Sequence, residues 1–273
     1  MDLTYLFVPG ISERKISKSF SSMANVIIID LEDAVTISRK DEARHIVYNM
    51  LINKTEKLNK TFIRINSYLS PWFREDLRLV SDLSIDGVII PKCEDASTIK
   101  NTMNLIDKQL EIIPLIESAS GVHNVKSIIR SSNQIDKVAF GAVDYAIDLG
   151  VDWTPKGEER RLAMQKLVLA SRTCGISSPI DAVFPILNNQ DEFKLDANYG
   201  KGIGFYGKMV IHPNHVQWVN EVYKPTEQQL KWSKKVVNIY ENGENSGAVE
   251  LDGNLIDYPI YSQAIRILSY YDK

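Results

Sequence analysis

Short apolar runs recur along this chain, separated by segments in which apolar residues return at helical spacing. That alternation predicts parallel βαβ units. Eight runs read as strands: residues 4–8, 26–30, 61–65, 87–91, 112–116, 137–140, 179–182 and 208–212. Helices are expected between them. Residues 38–41 have capping-box spacing, and Ala43, Ile46, Val47, Met50 and Leu51 then fall on one helical face. Residues 160–171 carry Leu162, Leu167, Val168 and Ala170 at helical spacing, and Cys174-Gly175 supplies a stop. Eight strands with intervening helices predict an α/β fold, a (β/α)8 TIM barrel. Periodicity alone also permits a doubly wound sheet, and the run at 179–182 is the least defined of the eight.

The pattern changes after Pro225. Thr226 caps a helical stretch over 227–240, residues 241–247 form a polar loop, and 248–256 read as a hairpin with Asp252-Gly253 at its turn. A last helix is expected over 260–271. This tail is too small for its own core, so it must pack on the barrel, on a neighbouring subunit or over the active site. The expected organisation is a TIM-barrel catalytic domain at 1–225 and a helix–hairpin–helix extension at 226–273, serving as lid or oligomerisation element.

Composition narrows the class. The 273 residues are 44% hydrophobic and 25% charged with a formal charge of −3, which offers no basic field for nucleic acid or an acidic membrane. Local basic clusters, Arg39-Lys40, Lys54-Lys57-Lys60 and Lys231-Lys234-Lys235, read as solvated helix faces. Cys93 and Cys174 are isolated and lack metal-ligand spacing, which points to a reduced, cytoplasmic setting. The first ten residues lack a basic start and a long apolar core, so no signal peptide is expected, and no apolar run would cross a bilayer.

Candidate chemistry lies at strand ends. The runs 112–116 and 138–143 lead directly into Glu117 and Asp144. A carboxylate is a poor strand residue and a good divalent-cation ligand. Each acid alone could serve the positive end of the next helix. Together, at the ends of successive strands, they converge on one rim of a barrel. Two carboxylates suit Mg²⁺, which keeps several waters and takes further oxygens from substrate. The four histidines show no zinc spacing. The second strand leads into Asp30-Leu31-Glu32-Asp33, with Glu32 and Asp33 expected around the cation. Arg64 ends the third strand and needs an anionic partner, either a carboxylate such as Glu32 or a substrate carboxylate or thioester carbonyl. Lys92 reads as an ion-pairing lysine beside Glu94 and Asp95, and His212 as a structural hydrogen-bond partner. No nucleophile elbow, dinucleotide fingerprint or Walker loop occurs.

These motifs, LFVPG (6–10), IIIDLEDAV (27–35), SRKDEAR (38–44), FIRIN (62–66), DGVIIPK (86–92), IPLIE (113–117), FGAVDYAIDLG (140–150), GKMVIHP (207–213) and DGNLIDYP (252–259), resemble the citrate lyase β-subunit family within the HpcH/HpaI aldolase superfamily. The likeness spans nearly the whole chain in order. It implies a (β/α)8 barrel assembled as a homotrimer or a multiple of trimers, with Mg²⁺ on Glu117 and Asp144 and with Arg64 contacting substrate. It further implies that Asp257, in the C-terminal lid, serves a neighbouring subunit's site in proton transfer, and that Arg14 and Lys18 lie near a coenzyme. Where the family commonly has Glu-Asp, this chain has Val143-Asp144, which removes one negative charge beside the metal ligand.

The expected activity is a Mg²⁺-dependent carbon–carbon lyase on a citryl-, citramalyl- or malyl-type thioester of coenzyme A or an acyl-carrier protein, releasing an acetyl thioester and a keto acid. Two other readings use the same residues differently. A class II pyruvate aldolase would act on the free hydroxy-keto acid, and a catalytically silent barrel subunit would bind no Mg²⁺.

Overall fold

A computed structural model describes residues 2–53, 59–242, 249–251 and 253–269. Two units emerge, Asp2–Val222 and Tyr223–Lys273. In the first, strands and helices alternate: β1 (Thr4–Pro9), α1 (Glu13–Ser19), β2 (Val26–Asp30), α2 (Lys40–Leu51), β3 (Lys60–Arg64), α3 (Phe73–Asp82), β4 (Gly87–Ile90), α4 (Ala96–Met103), β5 (Glu111–Ile116) and α5 (Ala119–Ile129). There follow β6 (Ala139–Phe140), α6 (Ala142–Leu149), α7 (Arg161–Cys174), α8 (Gln190–Ile203), β7 (Lys208–Val210) and α9 (Pro213–Tyr223).

The strands form one parallel sheet in the order β6-β5-β4-β3-β2-β1-β7. Every residue of β2 is buried, as a strand covered on both faces requires. One alternating set, including Tyr5, Val26, Ile28, Phe62, Ile89, Ile113, Ala139, Ile180 and Met209, packs into a single apolar cluster. The intervening residues, such as Ile27, Ile29, Ile63 and Val88, are equally buried on the opposite face.

Residues 179–182, expected as a full strand, supply only two isolated parallel bridges, Ala139↔Ile180 and Asp181↔Lys208. Those bridges join β6 to β7, the two edges of the sheet, and bring the ring around. A charge cluster reinforces this short contact. The buried Lys208 Nζ lies 2.5 Å from Asp181 Oδ2 and 2.7 Å from Asp196 Oδ2. Arg160 bonds the other oxygen of Asp196 and lies 2.9 Å from Glu159. Burying these charges is tolerable because each has a partner.

Local details follow the sequence with some corrections. Ser12 caps α1, its side chain accepting from the Lys15 N–H, and Gly175 ends α7 with φ 73°. The expected capping box at 38–41 does not form: residues Ile37–Arg39 wind as a 3-10 turn, and α2 starts without a side-chain cap. Lys40 is buried rather than solvated, and of the cluster Lys54-Lys57-Lys60, only Lys60 is within the described residues, where it pairs with Asp2 at 2.7 Å.

In the second unit, α10 (Glu227–Asn242), the antiparallel pair β8 (Val249–Leu251) and β9 (Asn254–Ile256), and α11 (Tyr258–Ser269) reproduce the helix, hairpin and helix pattern. Thr226 Oγ1 accepts from the Gln229 N–H, as a cap should. Val236, Ile256 and Ala264 form a small core under Trp232, Tyr240 and Ile260. Asp252 at the expected hairpin turn, most of the expected loop at 241–247 and the end of the last helix lie outside the described residues. Among the described residues no helix is long and apolar enough to cross a membrane.

Candidate active site

The acid-bearing ends of β2, β3 and β5 meet because the strands are parallel and in register. Asp30 stands directly opposite Arg64 in the β2–β3 ladder. The Arg64 fork closes on it, Nε to Oδ1 at 2.7 Å and Nη2 to Oδ2 at 2.6 Å. Nη1 lies 3.1 Å from Glu32 Oε2 and 3.3 Å from Asp33 Oδ2, and the guanidinium carbon sits 4.7 Å from the centre of the Phe7 ring. Burial opposes the Arg64 charge, but Asp30, Glu32 and Asp33 together outweigh it and hold the guanidinium firmly protonated. Asp30 also accepts the Glu32 and Ala34 N–H groups at 2.9 Å each, so it shapes the loop that presents Glu32 and Asp33.

That loop is fastened from below by Lys40. Its ammonium donates to the carbonyls of Leu31 and Glu32, each at 2.7 Å, and lies 5.5 Å from the Trp72 ring centre. The first residue of α2 therefore holds the acid loop rather than meeting solvent.

Glu117 follows β5 and is 5% exposed. Its Oε1 accepts the Lys92 main-chain N–H at 2.7 Å. Gly141 leaves the space its carboxylate occupies: a Cβ there would lie 2.6 Å from Glu117 Cβ and 2.6 Å from Oε2. Burial, then the nearby Asp144 charge, then that of Glu32, push the Glu117 carboxyl up to about 8. Asp144 sits in the first turn of α6, half-buried, and burial followed by the Asp33 charge raises its pKa. The start of α5 is tied to the last turn of α6, since Asp148 Oδ2 accepts the Ala119 N–H at 2.7 Å.

Glu32 and Lys92 complete the rim. Lys92 Nζ lies 2.7 Å from Glu32 Oε1, so its partner is Glu32 and not the neighbouring Glu94 or Asp95. Glu32 Oε2 is buried without a hydrogen bond and has only the charge contact with Arg64. Burial is the main reason the Glu32 pKa is raised.

Five carboxylates, Asp30, Glu32, Asp33, Glu117 and Asp144, thus gather about Arg64 and Lys92, and burial together with the neighbouring acid charges makes Glu117 and Asp144 resist ionisation. A divalent cation would satisfy that imbalance. Among the described residues no group of three or more His, Cys, Asp or Glu is disposed to hold a metal. Glu117 and Asp144 could therefore supply at most two protein carboxylates, leaving the remaining positions to water and substrate oxygens, as Mg²⁺ prefers.

The remaining expected site residues lie elsewhere on the chain. Arg14 and Lys18 are exposed on α1. Asp257 belongs to the second unit, where its side chain accepts the Ile260 N–H at 3.2 Å at the start of α11. His212 is structural in its contacts, Nδ1 accepting the Asn214 N–H at 3.2 Å. Lys40 and Gly141 were not singled out from the sequence, and Asp30 was read with Glu32 and Asp33 but not as the partner of Arg64. Asp30 had a usable signal, because an acid and an arginine end adjacent strands at the same register.

Residues 3–213 match the family described as HpcH/HpaI aldolase/citrate lyase. Citrate lyase subunit beta of Leuconostoc mesenteroides subsp. cremoris is 31% identical over 277 residues, covering 97% of this chain and 91% of that protein. The mitochondrial citramalyl-CoA lyase of Rattus norvegicus is 28% identical over 285 residues, covering 97% and 84%. The fold matches that of CitE from Mycobacterium tuberculosis in complex with magnesium, acetoacetate and coenzyme A, with a TM-score of 0.85, 24% identity and coverage of 100% of this chain and 98% of that one.

Proposed function

The chain belongs to the HpcH/HpaI aldolase/citrate lyase family, and from that premise we propose that it is a Mg²⁺-dependent carbon–carbon lyase. It cleaves a citryl-, citramalyl- or malyl-type thioester to an acetyl thioester and a keto acid, or runs the reverse condensation. The observation that carries this reading is the convergence of Glu117 and Asp144 with a carboxylate-held Arg64 on one partly buried rim. Relatives named as citrate lyase and citramalyl-CoA lyase, and a structural neighbour binding magnesium, acetoacetate and coenzyme A, support the class of substrate and cofactor.

Glu117 and Asp144 would hold the ion, which when bound supplies Lewis-acid polarisation at the keto-acid end of the substrate. Arg64 has five N–H donors; Asp30 takes two and Asp33 one, Glu32 Oε2 also lies 3.1 Å from Nη1, and the donors these acids do not take would serve the substrate. Directed at the thioester carbonyl, they would stabilise the negative charge that develops as the acetyl group leaves as an enolate. Asp257 would deliver or remove the methyl proton. Arg14 and Lys18 would meet the coenzyme's phosphates. In this reading residues 1–225 form a (β/α)8 catalytic barrel, and 226–273 a lid that brings Asp257 to a neighbouring subunit's site in a trimer or a multiple of trimers.

The test is cleavage of citryl-, citramalyl- and malyl-CoA with and without Mg²⁺, in the wild type and in Glu117→Ala. Mg²⁺-dependent release of acetyl-CoA, lost in the variant, is expected. Full cleavage by Glu117→Ala, or turnover of the free hydroxy-keto acid alone, would rule the proposal out.

A further inference from the structure

Lys92 is the only non-glycine residue with a positive φ among the described residues, at 51°. In that conformation a Cβ crowds the following carbonyl, so a lysine keeps it only where its surroundings compensate. The turn lies just past β4. Its neighbour Cys93 donates to the Leu115 carbonyl on β5 at 3.2 Å. The Lys92 N–H goes instead to a side chain, Glu117 Oε1 at 2.7 Å. The Lys92 ammonium reaches across the rim to Glu32 Oε1 at 2.7 Å, and Glu32 Oε2 lies 3.1 Å from Arg64 Nη1.

One residue thus holds Glu117 with its main chain and Glu32 with its side chain. A half-exposed ion pair adds little to stability by itself, and nothing in such a pair calls for a left-handed backbone. The left-handed turn and the amide contact fall on the same residue, the one whose N–H the Glu117 carboxylate takes. We propose that Lys92 is a positioning residue: the Lys92–Glu32 pair holds the left-handed turn, and the turn fixes Glu117 in the orientation that binds the cation. This rests on the reading of Glu117 as a metal carboxylate.

Three variants separate the backbone from the charge. Lys92→Arg keeps the pair. Lys92→Met removes it and keeps a Cβ. Lys92→Gly removes it as well, but glycine enters the left-handed region freely. Mg²⁺ is titrated into each full-length protein by calorimetry, without substrate, beside the wild type and Glu117→Gln, with a thermal melt to verify folding. Lys92→Arg and Lys92→Gly should bind within about threefold of wild type, while Lys92→Met should bind about tenfold more weakly or worse. Equal affinities for the Met and Gly variants, whether both strong or both weak, would overturn the proposal. If Lys92→Met does not fold, Glu32→Gln breaks the pair from its other end; it should weaken Mg²⁺ binding, and Glu32→Gln with Lys92→Gly should restore it. Failure of that rescue also overturns the proposal.

The Glu117→Gln control tells the two ideas apart. If it abolishes binding while Lys92→Met binds as wild type, only the role of Lys92 is wrong. If Glu117→Gln binds Mg²⁺ as wild type does, or the wild type binds none, the metal reading falls and the proposal with it.

Discussion

Replacing Gly141 with alanine would place a methyl carbon 2.6 Å from both Cβ and Oε2 of Glu117. Non-bonded carbons are comfortable at about 3.5–4.0 Å, so the two groups must separate by roughly 1 Å. Gly141 has little freedom to move. Its N–H donates to the Ile116 carbonyl at 2.9 Å, and its own carbonyl accepts the Tyr145 N–H at 3.0 Å. Its φ is −100°, so left-handed strain plays no part and the methyl contact is the whole perturbation. Glu117 must therefore yield. A shift of about 1 Å stretches its 2.7 Å contact with the Lys92 N–H beyond hydrogen-bond range. Mg²⁺ affinity should fall about 10- to 100-fold, as for other losses of support around a metal ligand. Overpacking should cost about 1–3 kcal/mol, a melting-temperature drop of about 2–12 °C for a domain of this size. Calorimetric Mg²⁺ titration and melts with and without Mg²⁺ measure both effects. The wild type should melt higher with Mg²⁺, and Gly141→Ala should lose most of that gain. If Gly141→Ala binds Mg²⁺ with wild-type affinity, the Glu117 carboxylate where it lies is not what holds the cation.

Further outcomes follow from the same geometry. Glu117 keeps its proton up to about 8 in the metal-free protein against a reference value of 4.5. The folded state then binds more protons than the unfolded state between those values. Its contribution to metal-free stability is therefore full below 4.5 and is lost as pH rises through the window toward 8. On the proposed role of Glu117, Mg²⁺ displaces that proton, so its affinity should climb with pH and level off above about 8; melts and titrations across this range check both slopes, and Glu117→Gln should flatten the stability slope. Lys208→Met leaves the buried Asp181 without its cation and Asp196 with Arg160 alone, and should cost about 3–5 kcal/mol in denaturant unfolding, leaving the Mg²⁺ affinity of the folded protein unchanged. Asp257→Ala should keep Mg²⁺ binding while thioester turnover drops about 10²- to 10⁴-fold; undiminished turnover would remove Asp257 from the mechanism.

Seven of the eight strand positions were legible because their residues are apolar on both faces, as parallel strands under helices must be. Residues 179–182 were the least defined of the eight, and the structure keeps them as two bridges, with Asp181 turned to Lys208. At the site, Glu117, Asp144 and Arg64 announced themselves as charges at the ends of apolar runs. Lys40 did not, because a lysine at a helix start looks the same whether it meets water or two carbonyls. Gly141 was equally silent: its importance is the absence of a side chain opposite Glu117, which only the packed structure displays.

The bridging of the sheet edges at Ile180 and Asp181 gives the ring a seam. Strands β1 to β6 pair with their sequence neighbours, whereas β7 meets β1 through Thr4↔Lys208, nearly the full length of the unit apart. Long-range pairings of this kind form late in folding. At the Ile180–Asp181 seam, buried ion pairs stand beside the backbone hydrogen bonds. Dehydrating charged groups becomes less costly on warming, while apolar burial gains little more. The joint that leans on charge is therefore one whose cohesion heat erodes little.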